Sequence, residues 1–374
     1  MTPLKSAFHF KGLDGLRCIG TFIVLFHHIE LGKNVFDIPS ISKYYMETGT
    51  GQAFMTMFFV LSGFLIFYLL INERKKTGIV EVKKFYRKRI SRIWPVYYIL
   101  VLTVIFLFSN NNWFSSPTPS VHAGDYYNVV SLYLFHLPNF RIFFTSSFVL
   151  LIHLWSLGAE EQFYALSPWL IKKSTNYLKT FIFIIVLKVS IKLMVALAYR
   201  TLPISSESIM FLKHLETFLF KFPIEAFAIG GIIAYLFIEK KENVLNYLYK
   251  PYIQWVNLLL MLAIVPLSHR SESLQLLVAI NFAIIIINLT GNTKPLFMLD
   301  NKYSNYIGQI SYGIYMYQIP LVYLILNIFK PYYSADHMVL WNILYYSTCT
   351  LLSMVTAIIS YELIERKFIN WARS

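Results

Sequence analysis

Residues 51–71 read GQAFMTMFFVLSGFLIFYLLI, a run without one charged side chain. About 20 such residues make a helix that crosses the hydrocarbon of a bilayer. Comparable runs recur along the chain and give ten candidate spans: residues 13–31, 51–71, 92–108, 151–171, 181–199, 223–238, 252–267, 273–291, 304–328 and 338–361. Of the 374 residues, 57% are hydrophobic and only 14% charged, against roughly 25% charged in globular domains. A soluble domain, a disordered chain and a disulfide scaffold all fit poorly. The expectation is an all-α, polytopic integral membrane protein. It forms a single domain over residues 1–374, with no room for an appended soluble domain. Cys18 and Cys349 lie inside apolar runs and read as small buried residues rather than a disulfide.

The formal charge of +14 would suit nucleic acid, but its placement argues against that partner. Lysines and arginines mark membrane sides: of the 33, 22 fall in alternate segments that include both termini, 8 in the intervening ones and 3 (Arg17, Lys188, Lys192) inside spans. By the positive-inside rule both termini are cytoplasmic. Residues 126–150 are apolar but broken by Pro138 and Asn139, and read as a re-entrant or interfacial outer piece. Counting them as a span would turn Lys172, Lys173, Lys240 and Lys241 outward. The first span ends in His27, His28 and Glu30 without a small-residue cleavage site, so it reads as permanent rather than as a signal peptide.

Polar groups inside spans carry the information about function, because the bilayer excludes them unless they are used. Arg17 and His28 are 11 residues apart, which places them within roughly 20° on one helix face and roughly 16 Å apart along the axis. His27 lies roughly 80° away from Arg17. The bland alternative has Arg17 snorkelling to the inner interface and both histidines at the outer one. A second cluster, Lys83, Lys84, Arg87, Lys88, Arg89 and Arg92, is an inner loop running into the apolar span at Trp94 and Pro95. Guanidinium groups grip phosphate bidentately, yet such runs also serve as topology anchors and lipid contacts. A third cluster, His153, Trp155, Ser156, Glu160, Glu161, Gln162 and Tyr164, opens the fourth span. Ser156 and the acids fit a helix start, although two adjacent carboxylates exceed what capping needs.

Four blocks in order resemble the membrane acyltransferase-3 family: Leu13-Asp14-Gly15-Leu16-Arg17 with His28; Phe58-Phe59-Val60-Leu61-Ser62-Gly63-Phe64-Leu65-Ile66; Arg89-Ile90-Ser91-Arg92-Ile93-Trp94-Pro95; and His153-Leu154-Trp155-Ser156-Leu157 through Glu160-Glu161-Gln162-Phe163-Tyr164. Partial matches at Gly230-Gly231, Ser311-Tyr312-Gly313-Ile314-Tyr315 and Tyr361-Glu362-Leu363-Ile364-Glu365-Arg366 extend the resemblance over nearly the whole chain.

That family contains bacterial O-acetyltransferases of cell-envelope glycans. The resemblance therefore implies an O-acyltransferase of the inner (cytoplasmic) membrane that takes an acyl group, commonly acetyl, from cytoplasmic acetyl-CoA. The acceptor it implies is a hydroxyl of an envelope polysaccharide, lipopolysaccharide or lipid-linked glycan on the outer side, and no metal is involved. It places the family's essential arginine and histidine on Arg17 and His28, the arginine pair used for acyl-CoA on Arg89 and Arg92, and the conserved acid on Glu160. Many members carry a histidine where this chain has Gln318. Some append a periplasmic hydrolase-like domain, which a chain ending at Ser374 is expected to lack.

The mechanism expected from these roles has Arg89 and Arg92 on the CoA phosphates and His28 as general base on the acceptor hydroxyl. Glu160 orients His28 or shares its proton, and a covalent acyl-histidine relay stays open beside direct transfer. Two rival readings remain. A transporter or flippase would use intramembrane charges such as Lys188, Lys192 and Glu225 as a substrate path. A glycerolipid acyltransferase is hinted by the spacing of His9 and Asp14, although Asp14 already belongs to the Arg17 block.

Overall fold

The computed structural model describes residues 10–40, 49–108, 111–117, 121, 123–143, 148–201, 206–268 and 272–372. Every regular element among them is helical. In chain order these are α1 (Leu13–Val35), α2 (Thr50–Thr77), α3 (Val82–Thr103), α4 (Tyr126–Leu134), α5 (Trp155–Lys173), α6 (Tyr177–Thr201) and α7 (Ser206–Phe220). There follow α8 (Ile224–Ile238), α9 (Glu242–Leu248), α10 (Pro251–Ile264), α11 (Glu272–Gly291), α12 (Lys302–Phe329), α13 (Met338–Ser360) and α14 (Arg366–Trp371).

Among the described residues seven helical stretches are long and apolar enough to cross a membrane, and the pair α9–α10, bent by 62°, makes an eighth. These eight correspond to eight of the ten expected spans. The other two, α1 and α5, are helices that fall short of that measure. They are the ones that carry Arg17, His27, His28, Glu30 and Lys33, and Glu160 and Glu161. Among the described residues of 126–150 there is no spanning helix: α4 is followed by a short 3-10 run at Pro138–Phe143.

Two local expectations are corrected. The basic cluster from Lys83 to Arg92 is not a loop, because α3 begins at Val82 and carries it on its first turns. Lys33, one of the 8 basic residues placed in the segments between spans on the outer side, lies inside α1, where it is buried in an ion pair with Glu30 at 3.2 Å and donates to Asn342 at 2.8 Å.

The centre of the bundle is α2, whose apolar stretch is 72% buried, whereas that of α6 is 17% buried and faces outward. Glycines set how closely α2 is approached. A Cβ at Gly63 would collide with the Phe227 backbone, and one at Gly230 with the Val60 carbonyl, so α2 and α8 touch through their main chains. The same device brings α1 against α12, where a Cβ on Gly308 would strike the Asp14 carbonyl. Gly78, at φ 79°, closes α2 by donating to Arg74 O. Arg74 in turn donates to the carbonyls of Ile171 and Ser174 at the end of α5, where a cation suits the helix dipole.

Candidate active site

The polar residues of α1 form two levels. At the first, Arg17 pairs with Asp14 at 2.6 Å. Arg17 also interacts electrostatically with Arg92 of α3 and Tyr164 of α5. Arg89, one turn before Arg92, is laid over the rings of Phe85 and Tyr164 at 5.8 and 5.7 Å, and interacts with Arg92, Glu160 and Glu161. Its Nε is buried without a hydrogen-bond partner. Three guanidiniums therefore gather at one end of the bundle. Like charges assemble at such a cost only where an anion or carboxylates offset them.

The carboxylates here are already engaged. Glu160 Oε1 accepts from the hydroxyls of Ser62 and Tyr164. Glu161 Oε2 accepts from Trp94 Nε1 at 3.3 Å. Beyond α13 the helix widens into a π-helical turn, Tyr361–Glu365. Its Glu365 is buried and interacts with Arg92, and Gly313 of α12 leaves room for the carboxylate, whose Oε1 lies 3.2 Å from where a Cβ would stand.

The second level surrounds His28. Its ring lies 6.1 Å from that of His153 and 6.4 Å from that of Tyr315, centroid to centroid, and it interacts with the side chain of Gln318. Gln318, where many relatives of the resembled family carry histidine, thus stands beside His28 and is fully buried. His27 turns away and packs its ring on Gly51 of α2, as the helix arithmetic requires. Tyr315 OH donates to the His153 carbonyl at 2.6 Å, and Ser156 Oγ lies 2.6 Å from the same phenol oxygen. With the phenol hydrogen committed, Ser156 is the donor of that second bond.

The two levels are joined by α5, which runs antiparallel to α1. His153 and Ser156 precede or open it at the histidine level, Tyr164 in its middle reaches the arginine level, and Glu160 lies between, roughly 6 Å along the axis from Ser156. Glu160 consequently faces Arg89. No described contact joins it to His28. Residues that the sequence reading did not assign to the site are Ser62, Tyr312, Tyr315 and Glu365. Tyr312 ties α12 to α3 by donating to Ile93 O at 2.8 Å.

The charges considered as a substrate path are neutralised locally. Lys192 pairs with Glu225 at 3.3 Å, and Lys188, 3% exposed, donates to the carbonyls of Leu219 and Phe222. His9 lies outside the described residues. Among the described residues no group of three or more histidine, cysteine or acidic side chains is arranged to hold a metal ion.

An acyltransferase-3 family model, described as an acyltransferase domain, matches residues 10–362. Among curated proteins, the chain is 32% identical over 170 residues to a Staphylococcus aureus strain COL protein named as a putative O-acetyltransferase, covering 45% of this chain and 25% of that protein. It is 29% identical over 210 residues to the O-acetyltransferase OatA of Staphylococcus aureus strain NCTC 8325, covering 54% of this chain and 32% of OatA. The matches thus span a quarter to a third of these relatives' length. No solved structure matches.

Proposed function

The chain belongs to the acyltransferase-3 family, and from that premise we propose that it transfers an acyl group from cytoplasmic acyl-CoA to a hydroxyl of an envelope glycan or glycolipid at the outer side of the bacterial inner membrane. Acetyl is the acyl group named in its relatives. The observation that carries the reading is the run of polar residues from Arg17, Arg89 and Arg92 to His28 and His153 along the bundle. It joins a phosphate-binding chemistry at one end to a proton-accepting chemistry at the other.

In this reading Arg89 and Arg92 hold the CoA phosphates at the cytoplasmic end through charge-assisted hydrogen bonds. Glu160 keeps Arg89 in position through its shared environment with Tyr164. Arg17, fixed by Asp14, adds the third cation. The pantetheine arm follows this run and brings the thioester towards His28. His28 takes the proton of the acceptor hydroxyl as its oxygen attacks the thioester carbon; the C–O bond forms, the C–S bond breaks, and the CoA thiolate leaves to be protonated. Envelope polysaccharide, lipopolysaccharide and lipid-linked glycans all offer such hydroxyls.

The test is acyl-CoA turnover by the purified protein in liposomes with a soluble glycan acceptor, together with mass spectrometry of envelope glycans from cells with and without it. Acyl esters that depend on the protein support the reading. Intact acyl-CoA and identical glycans in both cell lines refute it.

A further inference from the structure

The α12 segment Tyr315-Met316-Tyr317-Gln318-Ile319-Pro320 contains a proline inside a helix. An α-helical N–H bonds to the carbonyl four residues earlier, and proline has none to give. The Met316 carbonyl therefore loses its intrahelical donor. His153 supplies the replacement, with Nε2 3.1 Å from Met316 O. A carbonyl only accepts, so Nε2 carries the hydrogen and the neutral ring must present Nδ1 as a bare acceptor. That Nδ1 is buried with no hydrogen-bond partner, on a residue 2% exposed. His28 Nδ1 and both amide atoms of Gln318 are likewise buried without a hydrogen bond of normal geometry, although Gln318 lies close enough to interact with the His28 ring.

A direct hydrogen bond between two imidazoles brings their centroids to about 5 Å. The centroids of His28 and His153 are 6.1 Å apart, a separation that one bridging oxygen atom spans when the two Nδ1 atoms face each other. A buried water typically makes about three hydrogen bonds to groups such as these, and the Gln318 amide beside His28 is the third. The Tyr315 and Ser156 hydroxyls are committed to each other and to the His153 carbonyl.

We propose that His153 is the positioning residue of His28: its Nδ1 accepts, through one bridging water, the hydrogen on His28 Nδ1, so that His28 presents Nε2 to the acceptor hydroxyl as the proton-accepting atom. The proline sets the arrangement at its origin, because it frees the carbonyl that fixes the tautomer of His153. This inference rests on the reading of His28 as the base in the preceding subsection.

Two substitutions at His153 separate positioning from simple anchoring. In His153→Gln the amide N–H still reaches the Met316 carbonyl, but the acceptor at the Nδ1 position is lost. In His153→Asn an amide oxygen occupies roughly the Nδ1 position and the anchor is lost. Positioning predicts that His153→Gln lowers kcat roughly tenfold to hundredfold with KM for acyl-CoA unchanged, whereas His153→Asn recovers most of kcat despite a lower melting temperature. An anchoring role alone gives the reverse order of activities and overturns the proposal.

A second measurement needs no turnover. Selective 15N-histidine NMR of the purified protein in micelles should show His153 as the Nε2–H tautomer and His28 as the Nδ1–H tautomer. The His28 signal should become a tautomer mixture in His153→Gln. Wild-type protein with these tautomers but no acyl transfer refutes the preceding reading and, with it, the role of Nε2 towards an acceptor hydroxyl. A different His153 tautomer in the wild type, or kcat and His28 unchanged in His153→Gln, overturns this one and leaves acyl transfer standing.

Discussion

Arg89 and Arg92 stand one turn apart on α3, yet they face different groups: Arg89 meets Tyr164 and Glu160 of α5, and Arg92 meets Arg17 and Glu365. Lysine at either position keeps the charge and removes the fork that grips two phosphate oxygens. One lost charge-assisted bond corresponds to about 1.5–3 kcal/mol, so Arg89→Lys and Arg92→Lys should each weaken acyl-CoA binding roughly tenfold or more. Equilibrium binding to protein in micelles measures this, and wild-type affinity in both variants would reduce the pair to topology anchors. The adjacent histidines make a second contrast. His28→Ala should lower the transfer rate, per folded protein, by about 10² to 10⁴, while His27→Ala, which removes a ring packed on Gly51, should leave most of it. Equal losses would refute the base assignment. Arg17, His28 and Glu160 stood out in the sequence as polar residues where a bilayer tolerates few, and Arg89 and Arg92 through the motif they share with the acyltransferase-3 family. Asp14 is a local i,i+3 partner of Arg17 and was within reach of the sequence, whereas the contacts of Ser62, Gln318 and Glu365 were not, because these residues come from distant helices.

At the scale of elements, glycines decide how closely the helices pack. Gly230 has the Val60 carbonyl where its Cβ would be, so Gly230→Ala must push α8 from α2 and should cost about 1–3 kcal/mol. Gly78 has open space around it but φ at 79°, and Gly78→Ala should cost only about 1 kcal/mol of left-handed strain. Thermal unfolding in detergent compares the two. A larger loss at Gly78 would mean that the α2–α8 contact contributes little. Span existence was legible because hydrophobic runs report burial in lipid directly. Helix starts were less so: the basic run before Trp94 has ordinary helix formers, so polarity suggested a loop where propensity and packing continue α3 back to Val82. The break in residues 126–150 was legible from Pro138 and Asn139. The π-helical turn at Glu365 was not, since no local signal marks it.

Clusters of polar contacts mark the two ends of the molecule, and this makes the topology testable. At one end Lys75 of α2 pairs with Glu239 after α8 at 2.6 Å, and Arg17, Arg92 and Glu365 cluster. At the other, Asn327 of α12 donates to the carbonyls of Trp113 and Ser115 at 3.1 and 3.0 Å, and Lys33 reaches Asn342 of α13. The end holding the basic turns of α3 is the cytoplasmic one if positive charge governs insertion. Single cysteines at Lys76 and Lys241 should then react with a membrane-impermeant maleimide only after the membrane is opened, and a cysteine at Asn112 should react in intact cells. The native Cys18 and Cys349 are both buried and give a low background. Labelling of Lys76 and Asn112 from the same side would break the two-ended architecture itself. Labelling with the sides exchanged would keep the architecture and invert the membrane, placing the three arginines outside. Acyl-CoA made in the cytoplasm could not then reach them, and the direction of transfer proposed for this protein would fall with the orientation.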